Sequence, residues 1–169
     1  MDVAALRAMQ APLKERYKGE PKSAFITLKA KGTLDDAHIA CKVETGSALA
    51  VAGLHPAAGG SGLELCSGDM LLQALVACAG VTLKSVATAI EVPLTQGLVQ
   101  AEGDLDVRGT LGIDKEAPVG FAEIRLRFEV ETDAPQDKLN LLSKLTERYC
   151  VVYQTIKNGP KVSVSLKRM

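Results

Sequence analysis

The 169-residue sequence is 47% hydrophobic and sets 20 basic against 20 acidic residues. With no net charge it has no basic field to draw it onto phosphate backbones or anionic lipid, so no nucleic acid and no membrane is expected as a partner. Four cysteines without a CxxC pair and two histidines are too few for a disulfide scaffold or a structural zinc site. Nothing in the opening segment, which carries Asp2 and Arg7, reads as a secretory signal, so a cytoplasmic, reducing setting is expected.

Residues 1–18 have helical composition, and Gly19 followed by Pro21 marks a stop, which predicts a helical extension over 1–20 ahead of one domain over 21–169. SAFITLKAK alternates with period two and predicts a strand over 23–31; GTLDD then reads as a turn. From Ala37 to Glu44 the alternation resumes, with Ile39, Cys41 and Val43 on the core face and His38 facing water. SALAVAGL is a candidate third strand, and the glycine-marked HPAAGGSGLELCSG, containing His55 and Cys66, reads as a loop.

The next segment is apolar on more than one stripe: Leu71, Leu72, Leu75, Val76, Ala79, Leu83 and Val86 predict a central helix enclosed on most sides, capped by Ser67 or Asp69 and ending near Ile90. Its apolar run from Met70 to Leu83, interrupted by Gln73 and Thr82, is shorter than the roughly 20 residues that span a bilayer. LVQAEGDLDVRG and FAEIRLRFEVE predict an antiparallel pair joined by a long loop. A second long helix is expected from a cap at Asp133 through Ile156, and KVSVSLKR reads as a last strand. This order predicts an α+β fold with antiparallel sheet and helices on one face, and a homodimer in which the apolar central helices shield each other.

Cys78 sits alone in the hydrocarbon of the central helix, where burial raises a thiol's pKa and the helix's own N-terminus is distant. Its neighbours one turn away, Ala74, Leu75, Val81 and Thr82, carry no charge, so an activating cation is expected from another element, with Arg108, Arg148 and Arg16 as candidates. Cys150 lies near the end of the second helix. If the two thiols meet, one can be oxidised to a sulfenic acid and the other can condense with it to a disulfide. The alternative is a pair of unrelated buried cysteines.

SGDMLLQALVACAGVTL resembles the central-helix motif of the OsmC/Ohr group of thiol peroxidases, and RYCVVYQT resembles the segment bearing that group's second cysteine. The resemblance runs from about Ser23 to the C-terminus. It implies an antiparallel sheet packed on a long central helix and an intertwined homodimer with active sites at the subunit interface. Cys78 is then the peroxidatic thiol and Cys150 the resolving thiol. Together they would reduce organic hydroperoxides at the expense of a thiol or dithiol reductant, with no cofactor. The family's glutamate, ten positions before the first cysteine, corresponds to Gly68, with Asp69 one step closer; no motif fixes the family's arginine, and Arg108 is selected from a polar strand face. Two other readings are a non-catalytic module that binds an apolar small molecule at the dimer interface, and a cysteine hydrolase using Cys78 with His55 as base. Cys66 is expected to be a spectator.

Overall fold

A computed structural model of the chain describes residues 2–20, 32–34, 40–44 and 49–168. The strand expected over 23–31 and His38 lie outside the described residues, as do the side chains of Arg16 and Cys41. Helix α1 (Val3–Gly19) ends at its glycine stop and packs on the central helix, with Leu6 buried.

Strand β1 (Gly32–Leu34) occupies the segment that reads as a turn, because it finds a ladder partner: Gly32 stands opposite Val43 and Leu34 opposite Cys41 on β2 (Ala40–Glu44). β3 (Leu49–Gly53) pairs antiparallel with β2. The glycine-rich loop holds a 3-10 turn at Pro56–Ala58 and then returns alongside β3 as the two-residue β4 (Leu65–Cys66), which makes the one parallel pair of a four-stranded sheet. That return delivers the chain to α2.

Helix α2 (Ser67–Ala89) runs 23 residues, past both ends of its apolar run, and is long and apolar enough to cross a membrane by length and composition alone. Here it is packed against α1, β4, β5 and the two C-terminal helices. Neither Ser67 nor Asp69 caps it: Cys66 holds the N-cap position, and its side chain makes no capping bond. Leu75, Ala79, Leu83 and Val86 form the buried stripe at helical spacing, but Val81 is 74% exposed and Ala74 and Ala77 lie open beside it. The enclosure expected on most sides is therefore incomplete within one chain.

β5 (Gln96–Leu105) and β6 (Phe121–Glu131) form an antiparallel pair, Gln96 opposite Glu131 and Ala101 opposite Leu126. The long connection between them folds a short helix, α3 (Val107–Thr110), whose first turn is tied down by Asp106 accepting from the Arg108 N–H. Gly103 is required for packing: a Cβ there would stand 2.6 Å from Phe121 Cε1, so only glycine lets that ring lie against β5.

The single long helix expected near the C-terminus is two. α4 (Gln136–Tyr149), with Pro135 rather than Asp133 at its N-cap, stops at Cys150, and α5 (Val151–Asn158) starts immediately after it. Leu142 and Thr146 bury the inner face of α4; Leu142 joins Leu83, Val86, Ala87 and Val92 in the main core cluster, flanked by Phe128, Val130 and Leu145. Each fully buried aliphatic side chain contributes about 1.5–3 kcal/mol, so burying Leu83, Val86 and Leu142 where α2 meets α4 stabilises this half. Beyond Gly159 (φ 51°) the segment that alternates like a strand has no regular structure; Val162, Val164 and Leu166 are exposed at 78, 92 and 100%. A strand needs a partner edge, and within one chain this segment pairs with none among the described residues.

Candidate active site

The break between α4 and α5 builds the site. Cys150 has extended backbone angles (φ −73°, ψ 107°), closing α4 through its N–H to the Thr146 carbonyl (2.9 Å) and opening α5 through its carbonyl, which accepts from the Gln154 N–H (2.9 Å). Two side chains of α5 reach back across the break. Gln154 Nε2 donates to the Glu147 carbonyl (2.7 Å), and the Tyr153 hydroxyl donates to the Glu147 carboxylate (3.2 Å). Carbonyls left over at the end of α4 are thus used, and the orientation of α5 is fixed.

That orientation aims the N-terminal end of α5 at the middle of α2. Burial raises the Cys78 thiol, but the Val152 N–H, the Cys150 thiol, the Val151 N–H and the Thr82 hydroxyl together outweigh burial and hold Cys78 below the ordinary value of 9.0. The helix that matters is not Cys78's own. Unsatisfied amides and the positive end of a macrodipole favour an anion that faces them, and here a second helix supplies both. Cys150 moves the other way: burial pushes it up, and the neighbouring Cys78 sulfur adds to the rise. Of the two neighbouring thiols, Cys78 is the one that ionises more readily and Cys150 the one that keeps its proton. Cys150 itself is only 1% exposed.

Clefts lie on two sides of α5. One of about 490 Å³ is lined by Arg148, Tyr149, Cys150, Val151, Gln154 and Thr155. The other, about 510 Å³, has an apolar wall of Leu75, Ile124, Leu126, Phe128 and Ile156.

Comparison with known proteins fits this architecture. A model of the family described as OsmC-like protein matches residues 60–165, which include α2, the β5–β6 pair, α4, α5 and both thiols. The chain belongs to the OsmC-like family. Among solved structures, an OsmC-like protein from Mycoplasma pneumoniae superposes with a TM-score of 0.66 at 14% identity, covering 79% of this chain and 89% of that one. An organic hydroperoxide resistance protein OsmC from Legionella pneumophila superposes with a TM-score of 0.62 at 17% identity, over 80% and 92% of the two chains. An OsmC-like protein of unknown function from Vibrio cholerae gives 0.62 at 15% identity, over 78% and 94%. No curated protein matches the sequence.

Within this OsmC-like fold the structure brings Cys78 and Cys150 together and, among the described residues, leaves the other candidates elsewhere. Arg108 is on α3, 61% exposed, and held by Asp106 (2.6 Å) and Asp114 (3.3 Å); it lowers the Asp106 carboxyl rather than serving a thiol. Arg148 lies over the Tyr149 ring at 5.7 Å and lines the 490 Å³ cleft. Asp69 is exposed in the first turn of α2. Nine residues separate it from Cys78, about 14 Å along the axis and about half a turn around it, so the acid faces away from the thiol. Gly68 packs toward Phe121 and Cys66. His55 uses Nδ1 to accept from the Ala57 N–H (3.0 Å), capping the 3-10 turn, and is committed there.

Sequence reasoning missed the donors that act on Cys78. A cation is the activator that the sequence leads one to expect; among the described residues the groups on the sulfur are backbone amides, a hydroxyl and a second thiol. No Gly or Pro marks the break at Cys150, and backbone N–H groups leave no signature in a sequence. Thr82 is visible one turn from Cys78, but as an uncharged neighbour.

Proposed function

We propose that the chain is a thiol-dependent peroxidase that reduces organic hydroperoxides, with Cys78 as peroxidatic and Cys150 as resolving thiol. The observation that carries this reading is the meeting of the two thiols, Cys78 lowered and Cys150 raised, at the N-terminal end of α5. The Cys78 thiolate attacks the distal oxygen of ROOH. The O–O bond breaks, the alkoxide takes up a proton and leaves as ROH, and Cys78 becomes a sulfenic acid. The Cys150 sulfur then displaces water from it, forming the Cys78–Cys150 disulfide, and an external thiol or dithiol returns both to thiols while being oxidised itself. The route calls for no metal or prosthetic group.

A homodimer in the cytoplasm is part of the proposal. The open Ala74, Ala77, Val81 side of α2 and the alternating, exposed Val162, Val164 and Leu166 are apolar surfaces that a second copy would cover. A second reading, a binding module for an apolar small molecule, is favoured by the wall of the 510 Å³ cleft and by the absence of an acid at Gly68.

Hydroperoxide consumption by the full chain with an excess dithiol separates the two. On the peroxidase reading, Cys78→Ser loses more than about a thousandfold in rate, and Cys150→Ser accumulates a trappable sulfenic acid. Native chain that consumes no hydroperoxide and keeps all its thiols, while an apolar molecule copurifies with it, would leave the binding module in its place.

A further inference from the structure

Thr82 lies one turn after Cys78 on α2, part-buried, with its Oγ1 donating to the Cys78 carbonyl at 2.8 Å. The same hydroxyl is also within reach of the Cys78 sulfur. A threonine hydroxyl has one hydrogen and rotates to suit its surroundings. It therefore has two acceptors, a helix carbonyl that keeps its own backbone alternatives and a sulfur whose charge changes during the reaction. The amides of Val151 and Val152 cannot turn; Thr82 is the adjustable donor of the set.

We propose that Thr82 is a catalytic residue of the thiol site, its hydroxyl turning from the Cys78 carbonyl to the Cys78 sulfur when that sulfur is an anion. The inference rests on the peroxidase reading for its purpose but not for its test. Hydrogen bonds to charged groups are stronger than those between neutral ones, so the switch favours the thiolate over the thiol. No atom is transferred: the proton stays on Oγ1, and the hydroxyl returns to the carbonyl once the sulfur is oxidised or reprotonated. Among the described residues, Cys150 is the titratable group that acts on Cys78 from the elements packed against it, and removing the Thr82 hydroxyl changes no formal charge near the sulfur.

The test is the pH dependence of iodoacetamide alkylation at Cys78, resolved by peptide mass, on the full chain and on Thr82→Val and Thr82→Ser. Valine keeps the branched shape without the hydroxyl; serine keeps the hydroxyl without the methyl. The expected result is an alkylation midpoint about one pH unit higher in Thr82→Val, with alkylation about tenfold slower below it, and a native midpoint in Thr82→Ser. A native midpoint in Thr82→Val would overturn the proposal, and so would a raised midpoint in both variants, which would assign the effect to packing. Thermal unfolding of each variant identifies a folding defect; if valine unfolds the helix, Thr82→Ala removes the hydroxyl in its place, with the same raised midpoint expected and a native midpoint again overturning the proposal. Peroxide is absent from this assay. Loss of the shift thus refutes the role of Thr82, whereas failure of native chain to form a sulfenic acid refutes the peroxidase reading.

Discussion

The N-cap of α2 and its middle each hold a thiol, and they differ in what faces them. Cys66 sits at the N-terminus of α2 itself, half-buried, with no capping bond and no thiol paired with it among the described residues. Cys78 lies about three turns in, where its own helix offers nothing beyond Thr82, yet the N-terminal amides of α5, that hydroxyl and the Cys150 thiol converge on it. Proximity to a helix N-terminus along the chain is therefore a poor guide to a reactive cysteine. Which helix end points at the sulfur in space decides the matter, and here a break at Cys150 makes that end.

The contrast can be broken first through packing. Leu75, in the middle, is 1% exposed, whereas Leu71, near the start, is 41% exposed. Leu75→Ala should cost about 2–5 kcal/mol, and Leu71→Ala less than about 1 kcal/mol, as read by denaturant unfolding. Equal losses would mean that the middle of α2 is no better packed than its start.

The next effect is on pH. Cys78 is held below 9.0 and Cys150 above it, so between the lowered value and 9.0 alkylation should fall on Cys78 and spare Cys150. The folded chain ionises Cys78 more readily than the unfolded chain does. This group therefore contributes stability that is present at alkaline pH and lost as pH falls through the lowered value, while the raised Cys150 contributes stability that is lost as pH rises beyond 9.0. Peptide-resolved labelling that modifies both cysteines at one common midpoint would contradict this assignment.

A smaller effect isolates the amides. Val151 is 68% exposed and is the first residue of α5, a position that suits proline, and the extended backbone of Cys150 already matches a residue before proline. Val151→Pro deletes one of the N–H groups that face Cys78 and leaves the helix intact. Alkylation of Cys78 should slow by about three- to tenfold, with little change in helix content by circular dichroism; an unchanged rate would remove that amide from the account. The smallest effects are expected at the periphery. Cys66→Ser and Arg108→Gln should each leave Cys78 alkylation within about twofold, since an exposed ion pair is worth about 0–1 kcal/mol and Arg108 is engaged with Asp106 and Asp114. A larger loss in Arg108→Gln would return that arginine to the site.

How far the sequence carries the reading depends on the kind of signal. Hydrophobic periodicity marks α2, the β5–β6 pair and the presence of α4 correctly, because burial imposes a repeat on the side chains. The break at Cys150 leaves no such mark: TERYCVVYQT keeps helical spacing, while in the fold both α4 and α5 pack on α2 and Gln154 ties across the break to Glu147. Alternation in KVSVSLKR reports the two faces of a strand but cannot supply a neighbour, and among the described residues of one chain the segment has none. For the site, the resemblance points to Cys78 and Cys150, whereas the amides and Thr82 become visible only through distance and direction.

The most direct measurement is peptide mapping of the native chain after one equivalent of an organic hydroperoxide, without reductant. The account predicts loss of two thiols and a cross-linked pair of peptides containing Cys78 and Cys150, reversed by a dithiol. Four free thiols after treatment, or a disulfide through Cys66, would contradict it.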